Sequence, residues 1–155
     1  MKRINIFSII MIILLLTFAG CNSETNKDIF LNDEDIHTDY AGVHLTLESV
    51  EDNEENKKLN VVWHNETETE VTYGKGYNIE IKTEIGWESV LTSELIVPSI
   101  GIILKADGEN NEFYSTENFD VSEEGVYRLR CEFYVGDGNR YNTWVEFEIK
   151  AVGDN

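Results

Sequence analysis

Downstream of residue 42 the apolar residues recur at every second position. Val43, Leu45 and Leu47 alternate with His44, Thr46 and Glu48; Leu59, Val61 and Trp63 alternate with Asn60, Val62 and His64. Tyr77, Ile79 and Ile81 alternate with Asn78, Glu80 and Lys82, and the period returns over 127–135 and through Val145, Phe147 and Ile149. Successive side chains of a strand point to opposite faces, so this pattern predicts strands with one face buried and one solvated, the antiparallel habit. Weaker strands are predicted over 100–105 and 112–119, with a short one over 87–91. Polar segments rich in Gly, Asn and Asp at 51–56, 106–111 and 136–139 supply the turns. No sustained helical stripe follows residue 21, and one short helix over 92–95 is the only helical alternative. Seven or eight short strands predict an all-β, antiparallel two-sheet sandwich spanning residues 40–152.

The first twenty residues follow another rule. Lys2 and Arg3 precede an almost unbroken apolar run over 4–16, and small residues close it at Ala19 and Gly20. A positive start, an apolar stretch and small residues at its end describe an export signal, and the run is short for a membrane-spanning helix. Ala19-Gly20-Cys21 resembles the lipobox of bacterial lipoproteins, with Phe18 where that motif usually has Leu. The resemblance implies that residues 1–20 are cleaved off, that Cys21 takes a diacylglycerol, and that the chain is lipid-anchored on the extracytoplasmic face of a bacterial membrane. Two or three acyl chains make a durable anchor. Residues 21–39 carry Asp33, Glu34, Asp35 and Asp39 with little apolar content, and read as a flexible acidic tether without EF-hand spacing.

Charge narrows the partners. The 30 acidic residues against 12 basic ones give −18, and removing Lys2 and Arg3 with the signal leaves −20. Such a surface repels nucleic-acid phosphates and favours a basic partner.

Gly42-Val43-His44-Leu45-Thr46-Leu47, the strand over 59–65 with its Asn-Glu-Thr turn, and Tyr73-Gly74-Lys75-Gly76-Tyr77-Asn78-Ile79-Glu80 together form a recognisable series. With Gly86-Trp87-Glu88-Ser89-Val90 and Gly125-Val126-Tyr127-Arg128-Leu129, the series resembles the bacterial immunoglobulin-like domains of small Gram-positive lipoproteins over about residues 40–150. The resemblance implies an immunoglobulin-like sandwich in an exported setting, and no catalytic residues. There is no Cys pair, and Trp63 falls on the second predicted strand, so the antibody variable-domain pattern is excluded.

Candidate chemistry is sparse. If Cys21 carries lipid, Cys131 has no disulfide partner; its phase with Tyr127, Leu129 and Phe133 places it on an apolar face, against the alternative of a reactive nucleophile. Tyr127 follows Glu124-Gly125 at a strand start, the position of a tyrosine corner, although a ligand-binding Tyr is the alternative. No GxSxG elbow and no phosphate loop is present. No cofactor and no resident metal are implied; His44 and His64, on the outward phase of the first two strands, are the only pair that strand pairing brings together as metal candidates. Asn65-Glu66-Thr67 matches a glycosylation sequon, but in an exported bacterial chain it reads as a turn.

Trp144 and Tyr134 fall on the outward phase of adjacent strands, beside Arg128 and Arg130. Outward Trp, Tyr and Arg are the residue types that dominate interface hot spots. The expectation is a non-catalytic binding or scaffold module for an envelope or secreted partner, docked on that face. The alternatives are an extracytoplasmic protease inhibitor and a metal-dependent activity at the surface histidines.

Overall fold

The computed structural model describes residues 36–37, 40–53, 56–136 and 138–150. The signal over 1–20, Cys21 and all of the tether except 36–37 lie outside the described residues. The described residues form nine strands: β1 (Ile36–His37), β2 (Val43–Asn53), β3 (Asn56–Asn65), β4 (Val71–Thr83), β5 (Gly86–Ser89), β6 (Ile102–Leu104), β7 (Gly108–Ser115), β8 (Gly125–Val135) and β9 (Arg140–Ile149). They form a six-stranded sheet in the order β1-β9-β8-β4-β5, with β6 also on β4, and a three-stranded sheet β2-β3-β7. Every pairing is antiparallel except β1, which runs parallel to the start of β9.

The strands read from alternation are present with shifted bounds: β7, expected over 112–119 after a turn at 106–111, runs Gly108–Ser115 because its Gly- and Asn-rich start pairs with the end of β3, and β2 and β3 extend into the turn expected at 51–56. β4 begins at Val71, six residues ahead of the predicted strand, because the register shifts between Tyr73 and Tyr77 and Gly74-Lys75-Gly76 hides the period. Residues 92–95 form no helix; they run as a loop tied to Asn118, whose carbonyl accepts from Thr92 N at 2.8 Å and from Thr92 Oγ1 at 3.0 Å. The strand count rises to nine through β1, two residues within the segment read as tether, paired with Arg140 and Tyr141.

The apolar phases of the two sheets meet in one core. Leu59, Val61 and Trp63 from β3 face Tyr73 and Ile79 from β4 and Tyr127, Leu129, Cys131 and Phe133 from β8, all essentially inaccessible to water. Trp63 stacks on Tyr73 with centroids 4.1 Å apart, meets Phe133 edge-on at 6.5 Å, and donates from Nε1 to Tyr114 Oη at 2.8 Å. A large ring that also satisfies its N–H explains why a tryptophan is tolerated at the centre. Cys131 lies among these rings as a free, buried thiol. Burial in apolar surroundings pushes that thiol up to about 12, so at neutral pH it is protonated and acts as a small hydrophobe, not a nucleophile.

Two side chains pin the connections. Tyr127, fully buried, donates from Oη to the carbonyl of Glu123 at 2.8 Å, which is the tyrosine corner its sequence position predicts. Asn65 ends β3 and reaches across the sandwich: Nδ2 donates to the carbonyls of Thr69, Lys105 and Leu104 at 2.8, 2.9 and 3.2 Å. Its Oδ1 accepts from Thr67 N and Thr67 Oγ1, so the sequon is a side-chain-closed turn with a buried asparagine. Gly42 seats against this turn. Its φ of +93° disfavours any other residue, and a Cβ there would sit 2.9 Å from Thr67 Cγ2.

Candidate binding face

The outward phase of the six-stranded sheet is set by two cross-strand rows. One runs Trp144, Arg130, Asn78 across β9, β8 and β4; the next runs Glu146, Arg128, Glu80, Ser89 across β9, β8, β4 and β5. Residues directly opposite on adjacent strands have their Cβ atoms about 5 Å apart, so their polar heads meet. Glu80 accepts from Arg128 Nε at 2.5 Å through Oε2, and pairs through Oε1 with Arg130 Nε at 3.1 Å. Asn78 Nδ2 donates to the same Oε1 at 3.1 Å, and Ser89 Oγ donates to Asn78 Oδ1 at 2.8 Å. The Glu80 carboxylate, only 5% exposed, is thus an acid lodged beneath two guanidiniums on the solvent side of a sheet.

Aromatic rings close over this ion cluster. Arg128 Cζ lies 4.6 Å from the Trp87 ring centroid and 5.3 Å from that of Trp144, placing one guanidinium between two indoles. Lys82, directly opposite Trp87 on β4, brings its Nζ to 5.7 Å from the same ring. Apart from Arg3, every arginine of the sequence lies on this face: Arg128, Arg130 and Arg140, the last 3.9 Å from Glu132.

Of the four residues read from the sequence, Arg128, Arg130 and Trp144 come together in this cluster. Tyr134 stands farther along β8, in a row with Arg140, Thr72 and Ile103 on β9, β4 and β6. The two arginines are largely covered, with 16% and 14% of their side chains exposed, and they are engaged with Glu80 rather than offered to a ligand. The exposed large apolar residues of the face are Trp144 at 39%, Tyr134 at 41% and Ile103 at 61%, beside the exposed charges of Lys82, Glu146 and Glu148. Sequence reasoning missed Glu80, Trp87 and Asn78. Glu80 was one acid among thirty, and the four-residue β5 that carries Trp87 has no alternation to fix its phase.

On the other sheet His44 and His64 are directly opposed, their rings stacked 4.6 Å apart and 12° from parallel. His64 Nδ1 meets Glu109 Oε1 at 3.0 Å, while its Nε2 is buried without a partner. The strands thus bring the two rings together, but stacked rings do not aim their lone pairs at one point. Among the described residues no group of three or more His, Cys, Asp or Glu side chains is arranged to hold a metal ion.

Glu80 is thus held at the centre of this face by Arg128, Arg130 and Asn78. Twelve chains of known structure match this one. One is an X-ray structure of Northeast Structural Genomics Consortium target SoR45, 10% identical, covering 73% of this chain and 89% of its own, with a TM-score of 0.50; at that identity the likeness concerns the fold alone. A search of curated proteins returns no match. A family profile described as "Bacterial Ig-like domain" matches residues 39–148, most of the chain and all of both sheets except β1 and the last residue of β9, and on that evidence the chain belongs to the bacterial immunoglobulin-like domain family.

Proposed function

We propose that this protein is a lipid-anchored, extracytoplasmic binding module, non-catalytic, that docks a protein partner of the envelope or a secreted protein on the outer face of its six-stranded sheet. The observation that carries the reading is the pairing of a rigid base with an apolar rim. The Glu80–Arg128–Arg130 cluster lies against Trp87 and Trp144, and Trp144, Tyr134 and Ile103 remain exposed. Exposed aromatics held by packing lose little entropy on binding, which is the character of an interface hot spot. The acidity of the chain favours a partner with a basic rim around that contact.

The anchor rests on the Lys2-Arg3 start, the apolar run and Ala19-Gly20-Cys21. Fractionation of cells making the full chain tests it: the protein partitions with membranes, and Cys21→Ser moves it to the medium or leaves it unprocessed. A Cys21→Ser variant processed and retained as the parent is would remove the anchor from the account. Binding is tested separately, by crosslinking in intact cells with Trp144→Ala as the control.

A further inference from the structure

Residues 95–104 hold no charged side chain, the longest such run downstream of residue 24 in a chain with 30 acidic and 12 basic residues. Seven of the ten are aliphatic, and Ile96, Ile100 and Ile103 are exposed. The run ends in β6, which pairs with β4 on one side and, among the described residues, with no strand on the other. Val135 N donates to the carbonyl of Asn139 in the turn to β9, so by the alternation of antiparallel ladders the backbone groups of Tyr134 turn to Thr72 on β4. Val71 and Tyr73 then bond Leu104 and Ile102, and the N–H and C=O of Ile103 point away from β4. Asn65 holds this edge in place, donating to the carbonyls of Leu104 and Lys105.

Exposed edge strands are normally blunted by charged side chains, and this one is bare and aliphatic. We propose, resting on the outer-face reading, that the partner enters as an extended segment that adds to the six-stranded sheet beside β6. A free N–H and C=O on a pinned strand match the backbone of an extended chain. The added strand lies about 4.8 Å from β6 and prolongs the row Arg140, Tyr134, Thr72, Ile103 on the outer face. An aliphatic side chain at that register has its Cβ about 5 Å from that of Ile103 and covers the exposed isoleucine. The segment carries lysine or arginine at its flanks, because the chain it meets stands at −18. The same charge opposes a second copy of this chain as the occupant.

The test is titration of the full chain, in neutral detergent, with a capped synthetic peptide of alternating valine and threonine flanked by lysines, read by residue-resolved amide exchange. Binding is expected to slow exchange at the Ile103 amide. N-methylation of the valines or of the threonines separates the two edges of the peptide, so one set abolishes binding and the other leaves it. Ile103→Pro removes the free N–H without taking a bond from the ladder, and abolishes binding; Ile103→Val retains it. A glutamate-flanked version of the peptide does not bind. Binding that leaves the Ile103 amide exchanging freely, that survives Ile103→Pro, or that is equal with glutamate flanks overturns the proposal. So does no binding at all. In each case the outer-face reading is decided separately, by crosslinking in cells with Trp144→Ala.

Discussion

Glu80 and Arg128 face each other across the β4–β8 ladder, carboxylate to Nε at 2.5 Å, on the side of the sheet that the alternating pattern assigns to solvent. The pair is nonetheless buried, because Trp87 and Trp144 cover the guanidinium and Arg130 occupies the second carboxylate oxygen. An outward position became an interior one through its neighbours.

Removing Glu80 strands two guanidiniums under a ring lid. Loss of one partner of a buried ion pair costs about 3–5 kcal/mol, so Glu80→Ala is expected to destabilise the domain by that order. Urea unfolding of the Glu80→Ala and parent domains measures it, and a difference below about 1 kcal/mol would show the arginines re-solvating freely.

The strands of this fold were legible where side chains alternate strictly, as through Tyr127, Leu129, Cys131 and Phe133, because a period of two has no helical reading. The tyrosine corner was legible too, since its geometry is local to 123–127. β1 was not, because two residues carry no period and owe their place to the start of β9. The binding face was half legible. Phase alone put Trp144, Arg128 and Arg130 on one side, but no sequence rule says that a particular acid, Glu80, and an indole from a four-residue strand will converge on Arg128.

Tyr114 Oη accepts from the Trp63 N–H at 2.8 Å in the core. Tyr114→Phe removes that oxygen and leaves a buried donor unpaired, at an expected cost of about 1–3 kcal/mol. Thermal denaturation of the variant reads the loss; an unchanged midpoint would mean that the indole finds another acceptor.

Cys131 gives a pH dependence with a definite sign. Its thiol is raised from 9.0 to about 12 by burial, so the folded state keeps a proton that the unfolded chain releases above about pH 9. The associated stability is fully present below pH 9 and is lost progressively as pH rises toward 12. Tyr77, raised by burial from 10.0 to about 12, adds to the same decline from about pH 10. Unfolding titrations between pH 8 and 11 are expected to show the fall beginning near 9 in the parent and near 10 in Cys131→Ala. In the parent below pH 9, iodoacetamide modifies Cys131 only after unfolding; rapid modification of the folded protein would contradict its burial.

Asn65 satisfies three carbonyls, that of Thr69 and those of Leu104 and Lys105 at the end of β6, and no apolar residue can do so. Asn65→Ala is expected to cost about 2–4 kcal/mol, given that each buried group left unpaired costs about 1–3, and to loosen the corner where β6 passes into β7. Amide exchange at 104–108 reports this loosening directly, and unaltered protection there would assign the corner to backbone contacts alone.

The central claim is that the outer face of the six-stranded sheet is where a partner sits. A photo-crosslinking amino acid placed at Tyr134, and in a parallel sample at Asn111 on the exposed face of the opposite sheet, tests it in intact cells making the full chain. The account predicts one defined protein adduct from position 134, none from position 111, and loss of the adduct when Trp144→Ala is added to a protein that still folds. Adducts at 111 and not 134, or an adduct at 134 indifferent to Trp144, would contradict it.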